Sequence, residues 1–138
     1  MRRQQLPKTR NWPAEIRIWR DGRGPHINLP VNFHHHTYAG FDWGRNGPGA
    51  SELALILVQS ALEHAGYFGR SINLARGQCF KRAWRMHQAF KRSVVVDKLA
   101  AGQNHAIQWD DIDAWIAQWQ RLDAGAANDG RAAGPPQD

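Results

Sequence analysis

Gly40-Phe41-Asp42-Trp43-Gly44-Arg45-Asn46-Gly47-Pro48-Gly49-Ala50-Ser51-Glu52-Leu53-Ala54-Leu55 carries an aromatic pair and a glycine-rich bend directly into an apolar run. Ser51 has the side chain of a helix N-cap, and Glu52 beside it suits the positive end of the helix dipole. The helix so started is predicted to reach about Ala65. Its Leu53, Ala54, Leu55, Ile56, Leu57, Val58, Ala61, Leu62 and Ala65 cover nearly the whole circumference. A helix apolar on every side is one that its neighbours bury. Phe41, Trp43, Gly44, Gly47 and Gly49 then read as a structural hinge, with Trp43 pinned to the core and Arg45 and Asn46 at the exposed tip.

Upstream, Glu15 to Arg20 alternates in polarity, and Asp21-Gly22-Arg23-Gly24-Pro25 supplies turn residues. Ile27, Leu29, Val31 and Phe33 continue at period two, which predicts a β-hairpin whose second strand is an edge or is interrupted at Pro30. Residues 1–13, basic and containing Pro7 and Pro13, read as a flexible arm.

Downstream, Gly66, Gly69 and Gly77 bracket a loop, and a second helix is predicted from Gln78 to Leu99. Phe80, Ala83, Trp84, His87, Phe90 and Val94 form its inward stripe. Gly102-Gln103-Asn104 breaks the pattern. His105 to Trp109 offers a short strand beside the hairpin, and Asp110 is placed to cap a third helix carrying Ile112, Trp115, Ile116, Trp119 and Leu122. From Ala124 the chain reads as a disordered tail. The expected architecture is α+β: a hairpin or small three-stranded antiparallel sheet packed on about three helices, as a single domain over residues 14–123.

Charge is distributed unevenly. The chain of 138 residues has a formal net charge of +6. Eight cations (Arg70, Arg76, Lys81, Arg82, Arg85, Lys91, Arg92, Lys98) face one acid, Asp97, across the middle, whereas acids dominate beyond Leu99. Lys and Arg along one helix face neutralise successive phosphates and release counterions. Arg76, Lys81, Arg82, Arg85, Lys91 and Arg92, with Arg45 from the bend, are therefore the candidate contacts to a nucleic acid or an acidic nucleoprotein partner. The basic arm and Trp12 extend the same surface. No run of apolar residues is long enough for a membrane, and the lone Cys79 allows no internal disulfide. A cytoplasmic protein is expected.

Catalytic readings are weaker. The glycine order is Gly-x-x-Gly-x-Gly without the Lys and Ser or Thr of a phosphate loop. His34 and His36 fall on one side of a strand but lack an evident third metal ligand, so they read as solvated histidines and no cofactor is implied. Cys79 and His87, two turns apart on the predicted helix, are too distant for a nucleophile and its base. Ser51 is the other nucleophile candidate, with no triad to complete it, and Asp110, Asp111 and Asp113 read as helix-capping acids. The protein is expected to act by binding and not by catalysis.

The opening stretch also resembles the signature Gly-Phe-Glu-Trp-Gly-Tyr-Gly-Gly-Ser-Gly-Pro-x-x-Leu-Ala-Leu of a small domain family of bacteria, phages, plasmids and other mobile elements. Gly40, Phe41, Trp43, Gly44, Gly47, Gly49, Leu53, Ala54 and Leu55 match in register, and Asp42 replaces the acid. Gln88 to Val95, and Trp109 with Ile112, resemble later parts of that family, so the likeness extends over Ile16 to Trp115. Arg45, Asn46, Pro48 and Ala50 depart from it at the tip of the bend. The resemblance implies an accessory protein of a mobile element and no defined activity. The alternative that it raises is a protein-binding inhibitor of a host defence system, of the anti-CRISPR kind.

Overall fold

The computed structural model describes residues 11–37 and 40–129. Residues 1–10 of the expected arm and 130–138 of the expected tail lie outside them. The fold is α+β, with three helices, a three-stranded antiparallel sheet and a separate two-stranded one.

Strand β1 (Ile16–Asp21) is the centre of the larger sheet, flanked by β2 (Gly24–Ile27) and β5 (His105–Ile107). Ile18 pairs with Ile27 on one side and with His105 on the other. Ile16 and Ile18 point into the core, as their period-two spacing requires. The expected second strand stops early. After Ile27 the Asn28 side chain accepts from the Arg17 N–H at 2.9 Å and donates to the Glu15 carbonyl at 3.1 Å, and Pro30 has no N–H to continue a ladder. Leu29 and Phe33 are still buried, so the alternation survives as packing without strand pairing.

Helix α1 (Pro48–His64) is buried without a break from Ala50 to Leu62. It begins earlier than expected. Gly47, at φ +153°, is the N-cap and Pro48 takes the first helical position, where a missing N–H costs nothing and φ is already helical. Ser51 is therefore not the cap; it is buried inside the helix, and its Oγ donates to Gln88 Oε1 at 3.3 Å. Glu52 is correspondingly 1% exposed and stands in the core.

The second helix starts later and ends earlier than the spacing predicts. Gln78–Phe80 forms β4, paired with β3 (Ser71–Asn73), so α2 covers only Lys81–Phe90. A π-helical turn follows at Lys91–Val95. There the Ser93 hydroxyl donates to the Ala89 carbonyl at 2.8 Å, and three successive β-branched valines disfavour a regular α-helix.

Helix α3 (Trp109–Asp129) starts before Asp110, which lies with Asp111 in its first turn. It also continues past Ala124, where the tail was expected to begin; Ala124, Ala126 and Ala127 have high helix propensity, set against the low propensity of Gly125. Trp12 belongs to the fold and not to a free arm, its ring set edge-on against Trp109 and His64 at 5.5 and 5.8 Å.

Candidate functional site

The basic surface is built by a turn and a hairpin more than by a helix face. At the end of α1 the Tyr67 N–H bonds to the Leu62 carbonyl and the Gly66 N–H to the Glu63 carbonyl, with Gly66 at φ +84°. This is a Schellman turn, and the left-handed residue at its centre favours glycine. The turn folds Tyr67 back onto Phe80, at 4.9 Å between rings, and leaves Phe68 84% exposed. Phe68 and Leu122 are the large apolar side chains left in solvent among the described residues.

Arg70 follows, exposed, and its carbonyl accepts the Lys81 N–H at 2.8 Å, closing the base of the β3–β4 hairpin. Arg82 opens α2 with its guanidinium 4.9 Å above the Tyr67 ring. Arg76 is exposed at the hairpin tip, where its backbone forms an isolated bridge with His34.

The other expected contacts are dispersed. Arg85 faces α3, bonded to Asp123 at 3.2 Å and lying 5.8 Å from the centre of the Trp119 ring, so its charge is partly committed within the fold although the pair stays partly exposed. Lys91 is half-buried and close enough to His36 and His87 to oppose their protonation. Arg92 is exposed on the π-helical turn. Arg45 is exposed at the bend, 4.0 Å from Asp42, away from the hairpin. Phe68 and Arg70 were missed as site residues; the signal was the Tyr67-Phe68-Gly69-Arg70 run, an aromatic pair set in glycines beside a cation.

The histidine run is only partly solvated: His35 is exposed and the His34 side chain 41% exposed, in keeping with the spacing, whereas His36 is half-buried. Glu52 accepts the backbone N–H groups of His35 at 3.1 and 3.2 Å and of His36 at 2.8 Å, so a buried carboxylate holds the whole loop. His34 Nδ1 stands 3.7 Å from the same carboxylate. The Ala75 N–H donates to His35 Nδ1 at 3.1 Å. His36 stacks parallel to Trp84, and its Nε2 lies 3.0 Å from Nε2 of His87.

His87 Nδ1 lies 2.7 Å from the Trp84 carbonyl, which can only accept. The His87 proton is therefore on Nδ1, its Nε2 is an acceptor, and His36 donates to it. Burial drives the His87 pKa down to about 4, against the pull of that carbonyl, and His36, His35 and Lys91 push the same way. His36 is lowered too, chiefly by burial, with Glu52 opposing. Among the described residues no three His, Cys, Asp or Glu side chains are gathered as a metal-binding set.

Among the described residues neither nucleophile candidate is hydrogen-bonded to a base: the Ser51 hydroxyl donates to Gln88. Cys79 is buried on β4, and burial raises its thiol to about 11. Asp110 and Asp111 are exposed at the start of α3, while burial raises the pKa of Asp113, with His64 opposing and Asp110 adding.

The glycine bend is a packed hinge. Trp43 is fully buried, donates Nε1–H to the Gln103 carbonyl at 3.1 Å and carries the Arg20 guanidinium 4.0 Å over its ring. Burial disfavours the charge of Asp42, but its bond from Arg20, the Trp43 N–H and nearby Arg45 outweigh that and hold its pKa below the usual value. A side chain on Gly44, at φ +90°, would meet Ala101 at 2.3 Å. Phe41 stacks on Trp43 at 6.4 Å, and Gly49 leaves no room for a Cβ beside Asp42, 2.8 Å away.

Among the described residues no helix is long and apolar enough to cross a membrane. Compared with protein-family models, with curated proteins and with solved structures, the chain finds no match.

Proposed function

We propose that this protein binds nucleic acid, alone or within a nucleoprotein complex, as a non-enzymatic accessory factor. The observation that carries this reading is the surface formed by the Tyr67–Arg70 turn, the β3–β4 hairpin and the start of α2. It carries the exposed Phe68 and Arg70 in the turn, Arg82 over Tyr67 at the start of α2, and Arg76 exposed at the hairpin tip. The only acid between Arg70 and Lys98 is Asp97. Cations arranged without interleaved acids favour a polyanion, and affinity drawn from them falls steeply with salt.

The test is fluorescence anisotropy with labelled single- and double-stranded oligonucleotides at low salt. Reversing Arg70, Arg76 and Arg82 to Glu together is expected to abolish binding, and wild-type affinity should fall linearly on a log–log plot against salt. Arg85→Gln is the control: its partner is Asp123 within the fold, so its binding should change far less. Unchanged affinity in the triple variant overturns the reading. Capture of a host protein that survives nuclease treatment, with no oligonucleotide bound, would instead favour a protein-directed inhibitor.

A further inference from the structure

We infer that the Tyr67–Arg70 corner and the cavity behind it receive unpaired nucleobases, so that the nucleic acid taken is single-stranded; this rests on the reading above and specifies its substrate.

Three observations meet at that corner. The first is Phe68. Leaving a phenylalanine ring in water forgoes the free energy of burying it, yet a well-formed Schellman turn holds this one out at 84% exposure. Gly69 follows it and has no side chain to cover the ring, and the exposed Arg70 comes next, so a flat partner on Phe68 has a phosphate-binding cation two residues away. Every base has a face that stacks on an aromatic ring, which serves single strands of any sequence.

The second is an open cavity of about 370 Å³ between the end of α1, the Tyr67 turn and α3. Ala61 and Ala65 form a shallow wall, and Tyr67, Arg82, Asp113 and Gln120 supply the rest of the lining that matters here. Its size is at the lower end of small-molecule pockets. The Arg82 guanidinium over Tyr67 offers a planar cation, the other kind of surface on which extruded bases stack.

The third is the order of charges. Arg82, at the start of α2, lines the cavity on one side and Asp113 and Gln120 line it from α3, while Arg70 follows the Tyr67 turn just before the hairpin. A strand lying here keeps its phosphates on the cationic side and turns base edges toward a carboxylate and an amide. A base in a duplex is stacked on both faces and hydrogen-bonded along its edge, so it reaches neither Phe68 nor the cavity without flipping out. The carboxylate of Asp113 accepts from exocyclic amino groups, which adenine and cytosine carry and thymine lacks.

The experiment uses the full chain with labelled oligo(dA), oligo(dC), oligo(dT) and a mixed-sequence duplex. The wild type is expected to bind the single strands more tightly than the duplex, with oligo(dA) and oligo(dC) ahead of oligo(dT). Phe68→Ala should weaken every single strand about tenfold and leave the duplex and the melting temperature unchanged. Asp113→Asn should narrow the gap between oligo(dC) and oligo(dT). Duplex bound as tightly as single strand, or a Phe68→Ala variant with undiminished single-strand affinity, overturns this inference while leaving nucleic-acid binding intact. No binding to any oligonucleotide overturns both.

Discussion

The two ends of α1 treat their polar groups in opposite ways. At its start, Glu52 is buried and every nearby donor is supplied by the chain itself, through the His35 and His36 backbone. At its end, the Schellman turn satisfies the helix carbonyls and then releases Phe68 and Arg70 into solvent. A buried charge with partners is committed to the fold, because losing a partner strands it in a medium that solvates it poorly. Exposed cations beside an exposed ring hold no such commitment, and their interaction free energy is left for a ligand. The first end should govern stability and the second binding.

The largest expected effect tests that division at Glu52. Glu52→Ala leaves the His35 and His36 N–H groups unsatisfied and should cost on the order of 3 kcal/mol in urea denaturation. Glu52→Gln keeps an acceptor and should cost less. A Glu52→Ala protein as stable as Phe68→Ala would break the comparison.

Acid should act on the same end. The unfolded chain protonates His87 near 6.5, while the folded chain resists until about 4. Stability from this group is therefore whole above about pH 6.5 and is lost progressively as pH falls through that window, in total on the order of 3 kcal/mol. Urea midpoints measured from pH 7 to 4 check it, and His87→Leu should flatten the slope.

The hairpin tip joins the two regions, and a smaller effect is expected there. Gly77 has φ +87°, and a Cβ on it would meet the Asn32 carbonyl at 2.6 Å. Gly77→Ala should lower stability by about 2 kcal/mol and loosen both the histidine loop and the basic hairpin, so thermal melts and oligonucleotide affinity should fall together. The smallest effect is expected at the bend: Arg45→Ala, at an 83% exposed side chain, should shift the melt by no more than a degree or two and leave binding unchanged. A marked loss of binding there would move the interface to the bend.

Much of this molecule was legible because local patterns have local causes. The alternation at Ile16 and Ile18 placed β1, and the all-round apolar run placed α1 at the centre. Trp43 between glycines marked the hinge, where close packing against Ala101 and Asp42 admits no side chain on Gly44 or Gly49. The basic middle was visible as composition, but its geometry was not. Three short β4 residues look helical in sequence because Phe80 sits in step with Ala83 and Trp84, and only pairing with Ser71–Asn73 makes them a strand.

The sequence by itself determined the class of fold, the buried helix, the hinge and the charge imbalance, since each depends on residue type and spacing over a few turns. Only the tertiary structure decided what Glu52, the histidines and Arg85 do. An acid near a helix start reads as a dipole partner until the chain before it folds back across the helix and offers its N–H groups. His36 meets His87, and Arg85 meets Asp123, across separations of 51 and 38 residues. No local pattern encodes such pairings, because they arise only when packing brings distant segments together, and the weaker solvation there makes each polar group costly without its partner.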